Sequence, residues 1–231
     1  MATADQLVMI CPSRGRPGAV AQLRQAWADT GTTAQLLVVV DHDDPQLAAY
    51  QDGGPVVVSH TGGGMGPVLN DAAAGVLLMP GVAAVGFLGD DHRPRTHGWD
   101  PALLDAATTP GPGVAYGDDL HQREALPTAV VIAAPIVSAL GYMVPPGMVH
   151  LYLDNFWQML GHALGALRYR QDAVIEHLHP HAGKAAWDEG YRRVNDAAVW
   201  EADKARLDAY VASFWPAALQ RVRAAVAQMA A

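Results

Sequence analysis

Only one cysteine, Cys11, occurs among the 231 residues. An internal disulfide framework is therefore impossible, and so is a zinc cluster built on several thiolates. Basic residues are scarce as well: 15 Lys and Arg stand against 23 Asp and Glu, a formal charge of −8. A protein that coats nucleic acid with a broad basic surface needs the opposite balance, although a local basic groove stays open. Apolar runs are short. Gly, Pro or Asp interrupts each of them well before the ~20 residues that cross a bilayer, so no membrane span is expected. The segment Met1–Gln6 has no basic stretch followed by an apolar one, so no signal peptide is expected either. Neither G-x-x-x-x-G-K-S/T nor G-x-G-x-x-G appears, which removes the main support for a P-loop NTPase or a Rossmann dehydrogenase. There is no internal repeat and no low-complexity linker. Charged residues make up only 16% of the chain and hydrophobic ones 51%, so a buried core is attainable and disorder is not expected. The expectation is a soluble, cytoplasmic protein of one domain, residues 1–231.

What is present is an alternation of short β-rich runs with helical segments. Strands are predicted over 7–11, 36–40, 56–58 and 83–88, and helices over 17–30 and 67–79. Pro17 opens the first helix and Gly31 follows it. Continuous apolar strands separated by helices indicate a mostly parallel sheet covered on both faces. The second half is less regular. Strands are predicted over 114–116, 128–132, 167–170 and 173–177, with helices over 135–140 and 154–164. Two terminal helices run from about 194 to 214 and from 216 to the end. In the last one Trp215, Leu219, Val222, Val226 and Met229 form an apolar stripe, expected to pack on the body of the domain, with a dimer seam as the alternative.

Ligands of open α/β sheets bind beyond the carboxyl ends of the strands. Those ends carry Pro12-Ser13-Arg14, Asp41-His42-Asp43-Asp44, Gly62 to Gly66, and Asp90-Asp91-His92. Adjacent Asp90 and Asp91 at the tip of an apolar strand repel each other and lose hydration, which a divalent cation would relieve. In an extended segment they point opposite ways, so one would bind the metal and the other a ribose hydroxyl; His92 is an alternative ligand, and read alone the pair also suits a solvated turn. His177 and His179 face the same way in an extended chain, which is ligand spacing. Ser13 and its turn can contact a nucleotide, with Arg14 or Arg16 on phosphates. Asp154 lies between aromatics, where partial burial raises a carboxyl toward the range of a general base; a helix cap is the plainer role. Trp99 is expected in the core.

In this order the motifs resemble the nucleotide-sugar-dependent glycosyltransferases of the GT-A fold. A strand runs into Pro12-Ser13-Arg14, a second ends in Asp41-His42-Asp43-Asp44-Pro45, a helix after the glycine loop carries Asn70, Leu88-Gly89-Asp90-Asp91 stands where the family has its metal motif, and Asp154 follows an acceptor-side segment. The resemblance spans residues 6 to 182. It implies an α/β fold, GT-A-like and Rossmann-like, with a mostly parallel sheet flanked by helices and followed by C-terminal helices. Residues 1–95 would form the nucleotide-binding half, 96–182 the acceptor half and 183–231 the C-terminal helices. It further implies that Pro12, Ser13, Arg14, Asp41, Asp43, Gly66, Asn70 and Asp90 contact the donor. Asp91 with His177 or His179 would hold Mn2+ or Mg2+, and Asp154 would be the catalytic base.

The function implied is metal-dependent transfer of a sugar from a nucleotide sugar, a UDP-sugar being the expected donor, to a hydroxyl. The chain departs from the family in replacing D-x-D by Gly89-Asp90-Asp91 and the usual acceptor-side acidic pair by Asp154-Asn155. The run Gly86 to Pro94 is similar to compact bacteriophage glycosyltransferases, some of which modify hydroxymethylated bases in DNA; the location would then be the host cytoplasm. DNA, a small molecule and a polysaccharide are the acceptors weighed, for a monomer or homodimer. For a DNA groove the candidates are Arg14, Arg16, Arg123, Arg168, Arg170, Arg192, Arg193, Arg221 and Arg223. The competing readings are sugar-phosphate nucleotidyl transfer and a non-catalytic nucleotide-sugar-binding module.

Overall fold

The computed structural model describes residues 5–229. Its sheet has eight strands: β1 (Gln6–Ser13), β2 (Gln35–Asp41), β3 (Val57–Ser59), β4 (Val82–Phe87), β5 (His92–Pro94), β6 (Val114–Asp118), β7 (Val130–Ala133) and β8 (Leu167–His177). They lie in the order β3-β2-β1-β4-β7-β6-β8-β5. β1 pairs in parallel with β2 and β4, β2 with β3, and β6 with β8. β7 is antiparallel to both its neighbours, and β5 to β8. The sheet is mostly parallel, as expected. The helices are α1 (Pro17–Asp29), α2 (Leu47–Asp52), α3 (Met65–Val76), α4 (Trp99–Thr108), α5 (Ala134–Leu140), α6 (Leu153–Leu164), α7 (Glu189–Val194), α8 (Ala197–Ser213) and α9 (Trp215–Met229).

β1 shows why the apolar run forms a central strand. Leu7, Met9 and Cys11 enter the core layer under Leu23, Trp99 and Leu103, while Val8 and Ile10 enter the opposite layer with Leu69, Ile136 and Phe156. Alternate side chains thus leave water on both faces, each large one contributing about 2 kcal/mol. Cys11 is fully buried, and burial pushes its thiol up and out of reactive range. Trp99 is core, 1% exposed.

Several elements differ from the sequence expectation. The two runs predicted over 167–170 and 173–177 are one strand, β8, whose register shifts opposite Gly117 and Asp118. A bulge of that kind adds residues without ending the pairing, so the polar interruption at Gln171 and Asp172 reads as a gap. β5, α2 and α7 were not expected: each is too short to display a period. Part of the predicted α9 stripe packs on the domain itself: Val222 is buried in the layer that contains α5 and α6, with Trp215 and Val226 against it, whereas Met229 is exposed; Ala218, outside the stripe, is buried there too. The predicted extension of that helix to the end falls on residues 230–231, outside the described ones, as does the start of the Met1–Gln6 segment, residues 1–4. Among the described residues no helix is long and apolar enough to cross a membrane.

Candidate active site

β1, β2, β3, β4, β6 and β8 run the same way, so their carboxyl ends meet on one edge of the sheet. A cleft of about 620 Å³ opens there. On one side lie Pro12, Ser13, Arg14, Asp41, Asp43 and the glycines 62–64; on its floor lie Asp90, Asp91, His92, His177 and His179.

The β1 and β2 ends are tied together by charge. Arg14 Nη1 donates to Asp41 Oδ2 at 3.0 Å and to Asp43 Oδ1 at 2.6 Å. The second Asp41 oxygen, Oδ1, is buried without a hydrogen-bond partner. A buried carboxylate oxygen in that position is an acceptor waiting for a donor.

Asp90 and Asp91 are held in different states. Asp90 Oδ2 accepts from Ser13 Oγ at 2.6 Å and Oδ1 from Arg16 Nη1 at 3.3 Å. Burial, and then the neighbouring Asp91 charge, raise its carboxyl to about 6, with the Ser13 and Arg16 bonds pulling back. Burial also opposes the charge on Asp91, but His177 and His92 outweigh it and hold that carboxyl well below the usual range.

The Asp91 surroundings come from strand pairing. β5 aligns His92 directly opposite His177 of β8, so the imidazoles share a face and stack with centroids 4.1 Å apart at 16°. Asp91 Oδ1 is 3.2 Å from His92 Nδ1, and Oδ2 is 3.3 Å from His177 Nε2. One ligand atom from each of the three residues lies within 4.8 Å of the others. The Gly89 N–H also points at His92 Nδ1, at 3.1 Å. The far nitrogens, His92 Nε2 and His177 Nδ1, are buried and partnerless. Gly89 is needed for this cradle, since a Cβ there would lie 2.6 Å from Asp91 Oδ1 and 3.2 Å from His92 Nδ1. The two imidazoles and one carboxylate suit a divalent transition ion such as Mn2+ better than Mg2+, which prefers oxygen ligands. The residues present fit a divalent cation.

His179 stands apart from that trio. Its Nδ1 accepts the His181 N–H at 3.2 Å, and burial takes its imidazole down to about 4. His92, weighed as an alternative ligand in the sequence, is the third member of the cluster instead. His179 still lines the cleft, whereas Gly66 and Asn70 lie outside its lining. Gly66 N donates to Val149 O at 2.9 Å, and a Cβ on Gly66 would overlap Met148 O. Asn70 Oδ1 accepts from Met143 N and Val144 N, and Nδ2 donates to Val144 O. Both polar atoms of the amide take part in clamping α3 to this turn.

Asp154 opens α6, where its Oδ1 accepts from Asn155 N at 2.9 Å. Burial raises its carboxyl, the direction expected, and its charge acts on His177, yet it does not line the cleft. Among the other titratable residues of the cleft lining is His150. Burial takes it down to about 4, so it is neutral at neutral pH. Its backbone is fixed by Asp203 of α8, fully buried, which accepts from Val149 N, His150 N and Leu151 N at 3.1, 2.8 and 2.8 Å. Tyr152, next in line, holds a left-handed φ of 62°. A non-glycine residue is kept there only by surroundings that over-determine it. No local signal in the sequence marks His150 or Asp203; both emerge from contacts distant in the chain.

Among the nine candidate arginines only Arg14, Arg16 and Arg193 line the cleft. Arg168, Arg170, Arg221 and Arg223 donate to backbone carbonyls elsewhere on the molecule. The described residues thus form no continuous arginine groove through these positions.

No family model matches the chain, and no curated protein is similar to it in sequence. Solved structures do share its architecture. A mannosyltransferase, PcManGT, from Pyrobaculum calidifontis, solved with GDP-Man and Mn2+, superposes with a TM-score of 0.59 at 14% identity, covering 99% of this chain and 77% of that one. Glucosyl-3-phosphoglycerate synthase from Mycobacterium tuberculosis, solved with Mn2+, UDP and phosphoglyceric acid, gives 0.52 at 14% identity over 78% of this chain and 74% of that one. With the strand order and the strand-end cleft in place, the chain has the GT-A-type fold of these glycosyltransferases.

Proposed function

We propose that the protein is a metal-dependent glycosyltransferase that moves a sugar from a nucleotide sugar to a hydroxyl acceptor. The observation that carries this reading is the convergence of Asp91, His92 and His177 beside Asp90, at the carboxyl edge of the sheet, in one cleft. The structural neighbours were solved with nucleotide sugar or nucleotide and Mn2+, which supports it.

Asp91, His92 and His177 would hold Mn2+ or Mg2+, which when bound neutralises charge building on the nucleoside diphosphate as it leaves. Asp41 Oδ1, buried and unpaired, suits the imide N–H of a uracil, and this favours a UDP-sugar. Arg14, Ser13, Pro12 and Asp43 would border the base and ribose, and Asp90, fixed by Ser13 and Arg16, would face the ribose hydroxyls. The acceptor oxygen forms its bond to the anomeric carbon while the bond from that carbon to the phosphate oxygen breaks and its electron pair departs with the diphosphate. We assign the proton lost by the acceptor to His150, which lines the cleft, in preference to Asp154, which does not. The arginine distribution favours a small molecule or saccharide over DNA as acceptor.

The test is a thermal-shift panel of nucleoside diphosphates with and without Mn2+, followed by assay of nucleotide-sugar hydrolysis. A ligand of the native state raises its apparent stability. We expect UDP with Mn2+ to raise the Tm and neither alone to match it. Absence of any nucleotide response would remove the reading. A flat response of DNA binding to salt would remove a DNA acceptor.

A further inference from the structure

α7 is joined to the cation site by polar contacts and by the Tyr191 ring, which packs against His179 and Trp187 with centroids 5.3 and 6.3 Å away. Asp188 caps the helix, accepting from Tyr191 N at 2.8 Å, and its Oδ2 accepts from Arg16 Nη2 at 2.7 Å. Arg16 also reaches Asp90 at 3.3 Å, and its guanidinium carbon lies 3.9 Å from the centre of the Tyr191 ring. The Tyr191 hydroxyl donates to Asp91 Oδ2 at 2.7 Å. That is the same oxygen that His177 Nε2 approaches at 3.3 Å. Tyr191 is 8% exposed and lines the cleft, so it meets Asp91 from the open side. Among the described residues α7 makes no extensive contact with another helix or strand, the kind of segment that local opening draws on.

We propose that Tyr191 competes with a divalent cation for Asp91, and that α7 is a latch which cation binding releases. The proposal rests on the assignment of Asp91 as a cation ligand. A phenol donating to Oδ2 takes up lone-pair density that a cation on that oxygen would need, and it stands in the space through which the cation arrives. Withdrawal of Tyr191 also uncovers the face of the Arg16 guanidinium toward the cleft, while Arg16 keeps its contacts to Asp90 and Asp188. The opposite role is an outer partner that steadies a metal-bound carboxylate; its loss weakens metal binding about 10- to 100-fold. The two roles differ in sign.

The experiment is a Mn2+ titration followed by the electron paramagnetic resonance signal of free Mn2+, on the full chain, with wild type, Tyr191→Phe and Asp188→Asn. Tyr191→Phe keeps the ring under Arg16 and removes only the hydroxyl. It should bind Mn2+ about tenfold tighter, the scale of one hydrogen bond to an ionised group. Asp188→Asn, which touches no proposed ligand, should move affinity in the same direction. Tryptic cleavage after Arg192 or Arg193 should quicken on Mn2+ addition in wild type, and should already be fast without Mn2+ in Tyr191→Phe. If wild type binds Mn2+ and Tyr191→Phe binds it equally or more weakly, the latch is wrong and the cation assignment stands. If neither protein binds Mn2+, the cation assignment fails and the latch falls with it.

Discussion

One wall of the cleft is made of strand tips. Ser13, Asp41, Asp90 and Asp91 each sit at or just beyond the end of an apolar strand, and a parallel sheet gathers those ends without further instruction. The other wall is assembled from afar. Asp203 grips His150 across 53 residues, Tyr191 reaches Asp91 across 100, and Asp188 meets Arg16 across 172. The first wall is thus expected to keep its shape when any one tip is changed, whereas the second hangs on a few long-range polar contacts.

The sharpest way to break this contrast is at Asp91. Asp91→Ala should abolish Mn2+ binding and lower transfer or donor hydrolysis by at least about 10³-fold, with the circular dichroism spectrum unchanged, because a strand tip is not what holds the sheet. Retained activity would contradict the assignment of the site.

Next in size is Asp203, on the assembled wall. Asp203→Asn should cost about 3 kcal/mol in denaturant unfolding, since it removes a buried charge that satisfies three backbone N–H groups and Arg206. Burial opposes that charge, but the backbone donors win and hold the carboxyl below its usual value. A depressed folded pKa gives stability that is present above the unfolded value of about 4 and lost as pH falls through the folded one. The gap between wild type and Asp203→Asn should be constant near neutrality and close only below about pH 4. A gap that persists unchanged into strong acid would mean that the charge is not what matters.

A third comparison sets His150 against Asp154. His150→Gln should lower transfer about 100-fold with UDP and Mn2+ binding retained, and Asp154→Asn by less than about tenfold. The reverse ranking would return the base to α6. The smallest effect separates structure from ligand contact at Asn70. Asn70→Ala should lower stability by about 2 kcal/mol, the cost of leaving the buried backbone groups of the 143–144 turn unpaired, with unchanged nucleotide affinity. A selective loss of affinity would restore Asn70 to the donor site.

The same contrast explains what could be read from the residues. The sheet and the tip acids were legible because period and punctuation are local: Leu7 to Cys11 ends at Pro12, and Ala83 to Leu88 ends at Gly89-Asp90-Asp91. His177 was legible as half of His-x-His. That His92 rather than His179 completes the cluster is not local information, because the antiparallel pairing that sets His92 against His177 joins β5, three residues long, to a strand about eighty positions later. Asn70 was read as a ligand contact because an amide after a glycine loop carries no mark of what will satisfy it. α7 escaped for a related reason: six residues show no period, and its Asp188 cap is visible only once Tyr191 is known to be helical. α8 buries an aspartate, Asp203, where an amphipathic reading expects an apolar residue.

Anomalous diffraction at the manganese edge, from crystals grown with Mn2+ and UDP, tests the central claim most directly. The account predicts a peak about 2.2 Å from an Asp91 oxygen and a His177 nitrogen, with the diphosphate against it and Tyr191 withdrawn from Asp91. A peak elsewhere on the chain, or nucleotide bound in the cleft with Asp91 still capped by Tyr191 and no manganese beside it, would contradict it.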